Sequence, residues 1–184
     1  MEKNKKFNIL AALLIVIMVL ATILYPKLSR KYQEENAVPA AAGENVGPAA
    51  DFTVYDPQGN AVSLSDMAGK PVIVNFWATW CKYCVEELSM FDSCAQEYGD
   101  EINFMMVDLP DGSRETEEKA LAFAMDEGYS FPVYFDSDWS ASYTYQISGI
   151  PMTLLIDRDG NLYKTHVGLM NEDALMEYIE ALTK

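Results

Sequence analysis

Cys81 and Cys84 stand three apart in the run Trp80-Cys81-Lys82-Tyr83-Cys84, directly after the apolar stretch Val72–Trp77 and at the head of a helical pattern. That placement constrains the fold more than any other feature. A buried strand running straight into a helix is the unit from which parallel sheets are built, so the chain reads as α/β. The first cysteine faces the free N–H groups and the positive end of that helix, which favour a thiolate. A thiolate poised beside its own resolving thiol is the minimum equipment for thiol–disulfide exchange. Cys-x-x-Cys alone also serves zinc knuckles. After a strand, before a helix and flanked by Trp80, it points to redox chemistry. Zinc wants four ligands, and beyond the pair the chain offers only Cys94 and His166.

At 184 residues, half of them hydrophobic, the chain can bury one good core. The formal net charge of −15 is unevenly spread: residues 1–31 hold six basic side chains and one acidic, leaving the remainder strongly acidic. Phosphate recognition needs a basic surface, so the balance argues against nucleic-acid partners. Phe7–Tyr25 carries no charge, and only Asn8 and Thr22 are clearly polar. As a helix it spans about 28 Å, close to one hydrocarbon core. A cleaved signal would place small residues close behind a shorter apolar run. Here Ala37–Gly43 begins a dozen residues later, so an uncleaved anchor is the expectation and a cleaved signal the alternative. No cysteine near the end of the run offers a lipid-attachment site. Basic residues flank both ends, so charge alone barely orients the anchor. The expected organisation is an anchor over residues 1–31 with its transmembrane helix over about 7–25, a flexible linker over 32–50, and one domain over 51–184.

Within that domain, Phe52–Tyr55 and Ala61–Leu64 flank a turn-rich loop and predict a hairpin. Val72–Trp77 is continuous enough for a strand covered on both faces. Cys84, Leu88, Phe91, Ala95 and Tyr98 keep a helical period, stopped at Gly99. A strand over Glu101–Asp108, a helix from a Ser113 cap to Glu127 and a short strand Phe131–Phe135 follow. A second hairpin, Ile150–Ile156 with Asn161–Val167, and a terminal helix Asn171–Leu182 complete the pattern.

Several motifs together resemble the thioredoxin-like superfamily and, more narrowly, its membrane-anchored extracytoplasmic branch, the TlpA/ResA-like redoxins. They are Ala50-Asp51-Phe52-Thr53, Leu64-Ser65-Asp66 with Gly69-Lys70-Pro71, Asn75-Phe-Trp-Ala-Thr-Trp-Cys-Lys-Tyr-Cys84 followed by Glu87, Gly149-Ile-Pro-Met-Thr153 and Ile156-Asp-Arg-Asp-Gly160. The resemblance implies a thioredoxin fold: a central mixed sheet flanked by helices, an N-terminal β-hairpin and a central βα insertion carried by Leu109–Phe135. It also implies a single-pass protein in the cell membrane whose C-terminal domain lies outside the cytoplasm. Expected partners are protein disulfides, of the apocytochrome c or methionine sulfoxide reductase type, and a membrane thiol electron donor of the CcdA/DsbD-like kind. No cofactor beyond the Cys81–Cys84 disulfide, and no metal, is implied.

Cys81 is expected as the nucleophile and Cys84, one turn in, as the resolving thiol. Lys82 and Tyr83 fill the dipeptide that sets redox poise in the superfamily. Lys82 favours the Cys81 thiolate if it points toward the sulfur. Tyr83 replaces the proline of many relatives. Asn75 occupies the position of a buried acid in thioredoxin proper and cannot titrate. Glu87, one turn after Cys84 on the apolar face, is expected underneath the pair, where burial raises a carboxyl toward the range of a general base. Ser89 replaces a common proline, so the helix has no kink signal. By resemblance the Ile150–Pro151 bond is cis and Ile150 offers a docking edge, while Met152 replaces a more usual threonine. Trp77 is expected in the core and Trp80 on the site's rim.

Cys94 lies about 15 Å beyond Cys84 along a helix, outside the roughly 7 Å that a disulfide spans. It is expected as a partly buried thiol. His166 is expected at the surface, and the methionines as packing. Two other classes compete with disulfide exchange. A copper-binding metallochaperone-like redoxin uses a wider Cys-x-x-x-Cys and a placed histidine. A peroxidatic enzyme has a Thr-x-x-Cys context, whose threonine position is Ala78 here.

Overall fold

The computed structural model describes residues 47–184. The expected membrane anchor, and the linker up to residue 46, lie outside them. Among the described residues no helix is long and apolar enough to cross a membrane. The chain runs through β1 (Thr53–Tyr55), β2 (Ala61–Ser63), a one-turn 3-10 helix (Leu64–Met67), β3 (Val72–Trp77), α1 (Lys82–Tyr98) and β4 (Asn103–Asp108). It continues through α2 (Glu117–Asp126), β5 (Val133–Phe135), α3 (Ser140–Thr144), β6 (Met152–Ile156), β7 (Leu162–Val167) and α4 (Glu172–Thr183).

The strands join one mixed sheet in the order β2-β1-β5-β4-β3-β6-β7. β3, β4 and β5 are parallel neighbours, as strands joined by helices must be. β6 returns antiparallel to β3, with β7 outside it, and the β1–β2 hairpin closes the other edge against β5. The expected N-terminal hairpin and central insertion are therefore present, α2 and β5 forming the insertion.

β3 is buried along its whole length, which its apolar run Val-Ile-Val-Asn-Phe-Trp dictates. Side chains alternate across the sheet. Ile73 and Trp77, with Phe104, Met106 and Leu155, pack beneath Cys84, Leu88 and Phe91 of α1, Ala120 and Ala124 of α2, and Leu175, Ile179 and Leu182 of α4. On the other side, Phe76 meets the Phe52 ring, which meets Tyr145 edge-on just beyond α3. The only polar residue within β3, Asn75, shares the α1 face.

The differences from expectation have local causes. The second helix begins at Glu117, capped by Thr116, and not at Ser113. Asp111 takes the N–H groups of Ser113, Arg114 and Glu115 on one carboxylate oxygen, which closes a turn where the helix was expected to start. Glu117 and Glu118 then occupy the first turn, where acidic side chains suit the helix dipole. The 3-10 turn at Leu64–Met67 and the short α3 carry too few residues for a periodic signal, and both escaped the pattern. Strands β4 to β7 begin one or two residues later than their apolar runs.

Candidate active site

Cys81 is the N-cap of α1 and takes the extended backbone that caps require. Its amide donates to the Ala78 carbonyl at 3.1 Å, closing a turn between the end of β3 and the helix. Its Sγ accepts the Cys84 N–H at 3.2 Å, so the helix terminus faces this sulfur. The two cysteines are joined as a disulfide, with Cα atoms 5.2 Å apart. Cys84 is wholly inaccessible, whereas Cys81 keeps 6% of its surface. An incoming group therefore meets Cys81 first.

The Ile150–Pro151 peptide is cis, and the Ile150 carbonyl oxygen lies 3.6 Å from Cys81 Sγ. Pro151 is tied through its carbonyl to the Gly168 N–H at 2.9 Å. Two residues on, the Met170 N–H donates to Glu87 Oε2 at 2.8 Å. One short loop after β7 thus binds both the proline turn and the buried acid.

Glu87 lies one turn beyond Cys84 on the face of α1 that meets the sheet, with 2% of its surface exposed. Its other oxygen accepts from Asn75 Nδ2 at 2.8 Å, and the same amide also donates to Thr153 Oγ1 at 3.0 Å. Burial pushes the Glu87 carboxyl up to about 7, against the Met170 and Asn75 hydrogen bonds, which favour the charged form. A carboxyl with that affinity takes up or releases a proton near neutral pH. Asn75 cannot titrate, but it orients the residue that can.

The rim is aromatic. Trp80 is 43% and Tyr83 57% exposed. The Arg114 guanidinium stacks 3.6 Å from the Trp80 ring centroid. Lys82 does not turn toward the sulfur: its ammonium pairs with Glu86 at 3.6 Å on the exposed side of the helix. Trp77 is fully buried, as expected. Cys94 is buried in the α1 core, and burial, followed by Glu97 and Glu172, pushes its thiol up. That is the reverse of activation. His166 is half-buried and meets Tyr178 edge-on. Ser89 leaves α1 unbroken over its 17 residues.

Sequence reasoning missed two buried carboxyls beside this site. Asp108 ends β4 directly opposite Trp77, and Glu115 accepts from both the amide and the hydroxyl of Thr79. Both are fully buried. The only trace in the sequence is Asp108 closing an apolar run. Among the described residues no group of three or more His, Cys, Asp or Glu side chains is placed to hold a metal ion.

The AhpC/TSA family model matches residues 46–165. Thiol-disulfide oxidoreductase ResA of Halalkalibacterium halodurans is 30% identical over 99% of this chain and 98% of its own length. Among solved structures, the exposed lipoprotein thioredoxin of Streptococcus pneumoniae superposes with a TM-score of 0.63 at 32% identity, over 72% of this chain and all of its own. StoA from Bacillus subtilis gives 0.61 at 27% identity, over 71% and 96%.

Proposed function

Since the chain belongs to the AhpC/TSA family of thioredoxin-like proteins and is a thiol-disulfide oxidoreductase, we propose that it is a membrane-anchored, extracytoplasmic reductant of protein disulfides. The observation that carries the mechanism is the buried Glu87 carboxyl, raised to about 7 and held between Asn75 and Met170 one turn beyond Cys84.

In the reduced protein, the Cys81 thiolate attacks one sulfur of a substrate disulfide. A Cys81–substrate bond forms and the substrate's other sulfur leaves as a thiolate. The Cys84 thiol then gives its proton to Glu87, and the Cys84 thiolate attacks Cys81 Sγ. The Cys81–Cys84 disulfide closes and the second substrate thiolate is released. Two electrons pass to the substrate, whose thiolates take up two protons. Glu87 works as the general base on the buried thiol, where water cannot. In the reverse direction it returns the proton while a thiol donor reduces the pair.

Ile150, held by the buried cis-Pro151, supplies a part-exposed backbone edge beside Cys81, suited to an extended substrate segment. Trp80 and Tyr83 supply apolar contact around it. The uncharged run over residues 7–25 supports the anchor, and the disulfide-exchange chemistry suits an extracytoplasmic domain supplied by a membrane dithiol donor of the CcdA/DsbD-like kind. Apocytochrome c and methionine sulfoxide reductases are the substrate types that fit. Cys84→Ser tests the order of the two thiols. It should accumulate a mixed disulfide through Cys81, and Cys81→Ser should accumulate none and lose insulin disulfide reduction. Trapping through Cys84 in the Cys81→Ser protein would refute the assignment.

A further inference from the structure

The Ala78–Cys81 turn presents the nucleophile, and both of its central residues are gripped by consecutive residues of the insertion. Thr79 gives its amide and its hydroxyl to one oxygen, Glu115 Oε2, at 2.8 Å and 2.7 Å. Trp80 lies under the Arg114 guanidinium. The gripping loop is itself fixed. Asp111 Oδ1 accepts three successive N–H groups, and the Glu115 carbonyl accepts from Asp111 and Gly112 at 3.1 Å and 3.0 Å. Gly112 sits at φ +72°, a conformation that a side chain would strain.

We propose that Glu115 is a positioning residue for disulfide exchange, holding the Thr79–Cys81 turn so that the Cys81 sulfur faces the helix terminus and the Ile150 edge. The inference rests on the oxidoreductase reading and adds the part played by the insertion. Several features separate positioning from packing. A fully buried carboxyl is a costly way to fill space, and an apolar side chain would serve packing better. Hydrogen bonds to a carboxylate are shorter, stronger and more directional than neutral ones. The same residue is linked to Asp108, which lies opposite Trp77, two residues before Thr79 in the turn. Both Asp108 oxygens are buried without a partner, and burial, then the Glu115 charge, pushes that carboxyl up to about 8. Whatever proton Asp108 holds, the Thr79 amide and hydroxyl both donate to Glu115 and not to Asp108. Asp111 and Glu117 act on Asp108 in the same direction, more weakly.

The sulfur's environment is set by contacts that depend on this turn: the Cys84 N–H at 3.2 Å and the Ile150 carbonyl at 3.6 Å. A displacement on the order of 1 Å at a reacting group costs roughly 100-fold in rate. Loss of one charge-assisted hydrogen bond that holds the group corresponds to roughly tenfold.

The test uses the full-length protein in detergent, with the Cys81 alkylation rate measured against pH and insulin reduction measured in parallel. Glu115→Ala and Thr79→Val are each expected to lower the alkylation rate roughly tenfold at neutral pH and to move the Cys81 titration upward. Thr79→Ser, which keeps both donors, should stay within about twofold of the parent. The double variant Glu115→Ala/Thr79→Val should be no slower than Glu115→Ala alone, because the two changes break one connection. Thr79 is only part-buried, so Thr79→Val carries the test if Glu115→Ala does not fold. A folded Thr79→Val protein with unchanged Cys81 titration and rate would overturn the proposal, as would multiplying effects in the double variant. Absence of insulin reduction in the parent protein would instead overturn the oxidoreductase reading beneath it.

Discussion

Replacing Glu87 by Gln should make stability less sensitive to pH, and the size of the effect follows from the burial of the carboxyl. Burial lifts that carboxyl from its ordinary 4.5 to about 7. The folded state therefore binds the proton more tightly than the unfolded chain does. A group of this sign stabilises the fold fully below about pH 4.5, and its contribution is lost as pH rises through about 7. At about 1.4 kcal/mol for each tenfold change in proton affinity, the loss is about 3 kcal/mol. Gln keeps the shape and cannot ionise. Its new amide N–H also has a place to go, since Asn75 Oδ1 is buried without a partner and accepts after a flip of the Asn75 amide. Asp108, raised to about 8, titrates in both proteins and cancels in their difference. Urea unfolding of the oxidised proteins at about pH 4, 6 and 8 measures that difference. It should move by about 3 kcal/mol in favour of Glu87→Gln across the range. A difference that stays flat to within about 0.5 kcal/mol would mean that Glu87 titrates as an exposed carboxyl does, and the proton-handling role would fall with it.

Lys82 pairs with Glu86 on the exposed side of α1, so Lys82→Gln should move the potential of the cysteine couple by less than about 15 mV. A change above about 30 mV in a thiol–disulfide equilibrium would instead place its charge at the sulfur. Asp92 is buried, and one of its oxygens accepts from the Ser130 amide, the Ser130 hydroxyl and the Phe131 amide. Asp92→Ala leaves those donors without their acceptor and should cost about 3 kcal/mol of unfolding free energy. A loss below about 1 kcal/mol would mean that water replaces the carboxylate at α1.

What could be read from the sequence was what repeats or what stands next to something informative. Val72–Trp77 and the Cys84–Leu88–Phe91 period declare a buried strand and a one-sided helix, and the cysteines mark their junction. Glu87 was legible because it lies on that apolar face, where a solvated glutamate has no reason to be. The insertion was less legible. Ser113 and Thr116 are equally good caps by residue type, and the choice is made by Asp111, whose side chain binds the amides that a Ser113 cap would have left to the helix. Glu115 and Asp108 look like surface acids in a chain this acidic. Only the parallel register that sets Asp108 against Trp77, and the fold that brings Glu115 to Thr79 from 36 positions away, reveal them as buried. The orientation of Lys82 was equally open, since a lysine at the first turn reaches either the sulfur or the residue four positions on.

The most direct test of disulfide exchange is the midpoint potential of the Cys81/Cys84 couple, equilibrated in defined thiol–disulfide buffers. The expected result is one reversible two-electron transition near or below about −220 mV, the range of a dithiol that keeps protein thiols reduced. A value above about −180 mV would contradict the reducing direction, and no reversible transition at all would contradict the exchange mechanism itself.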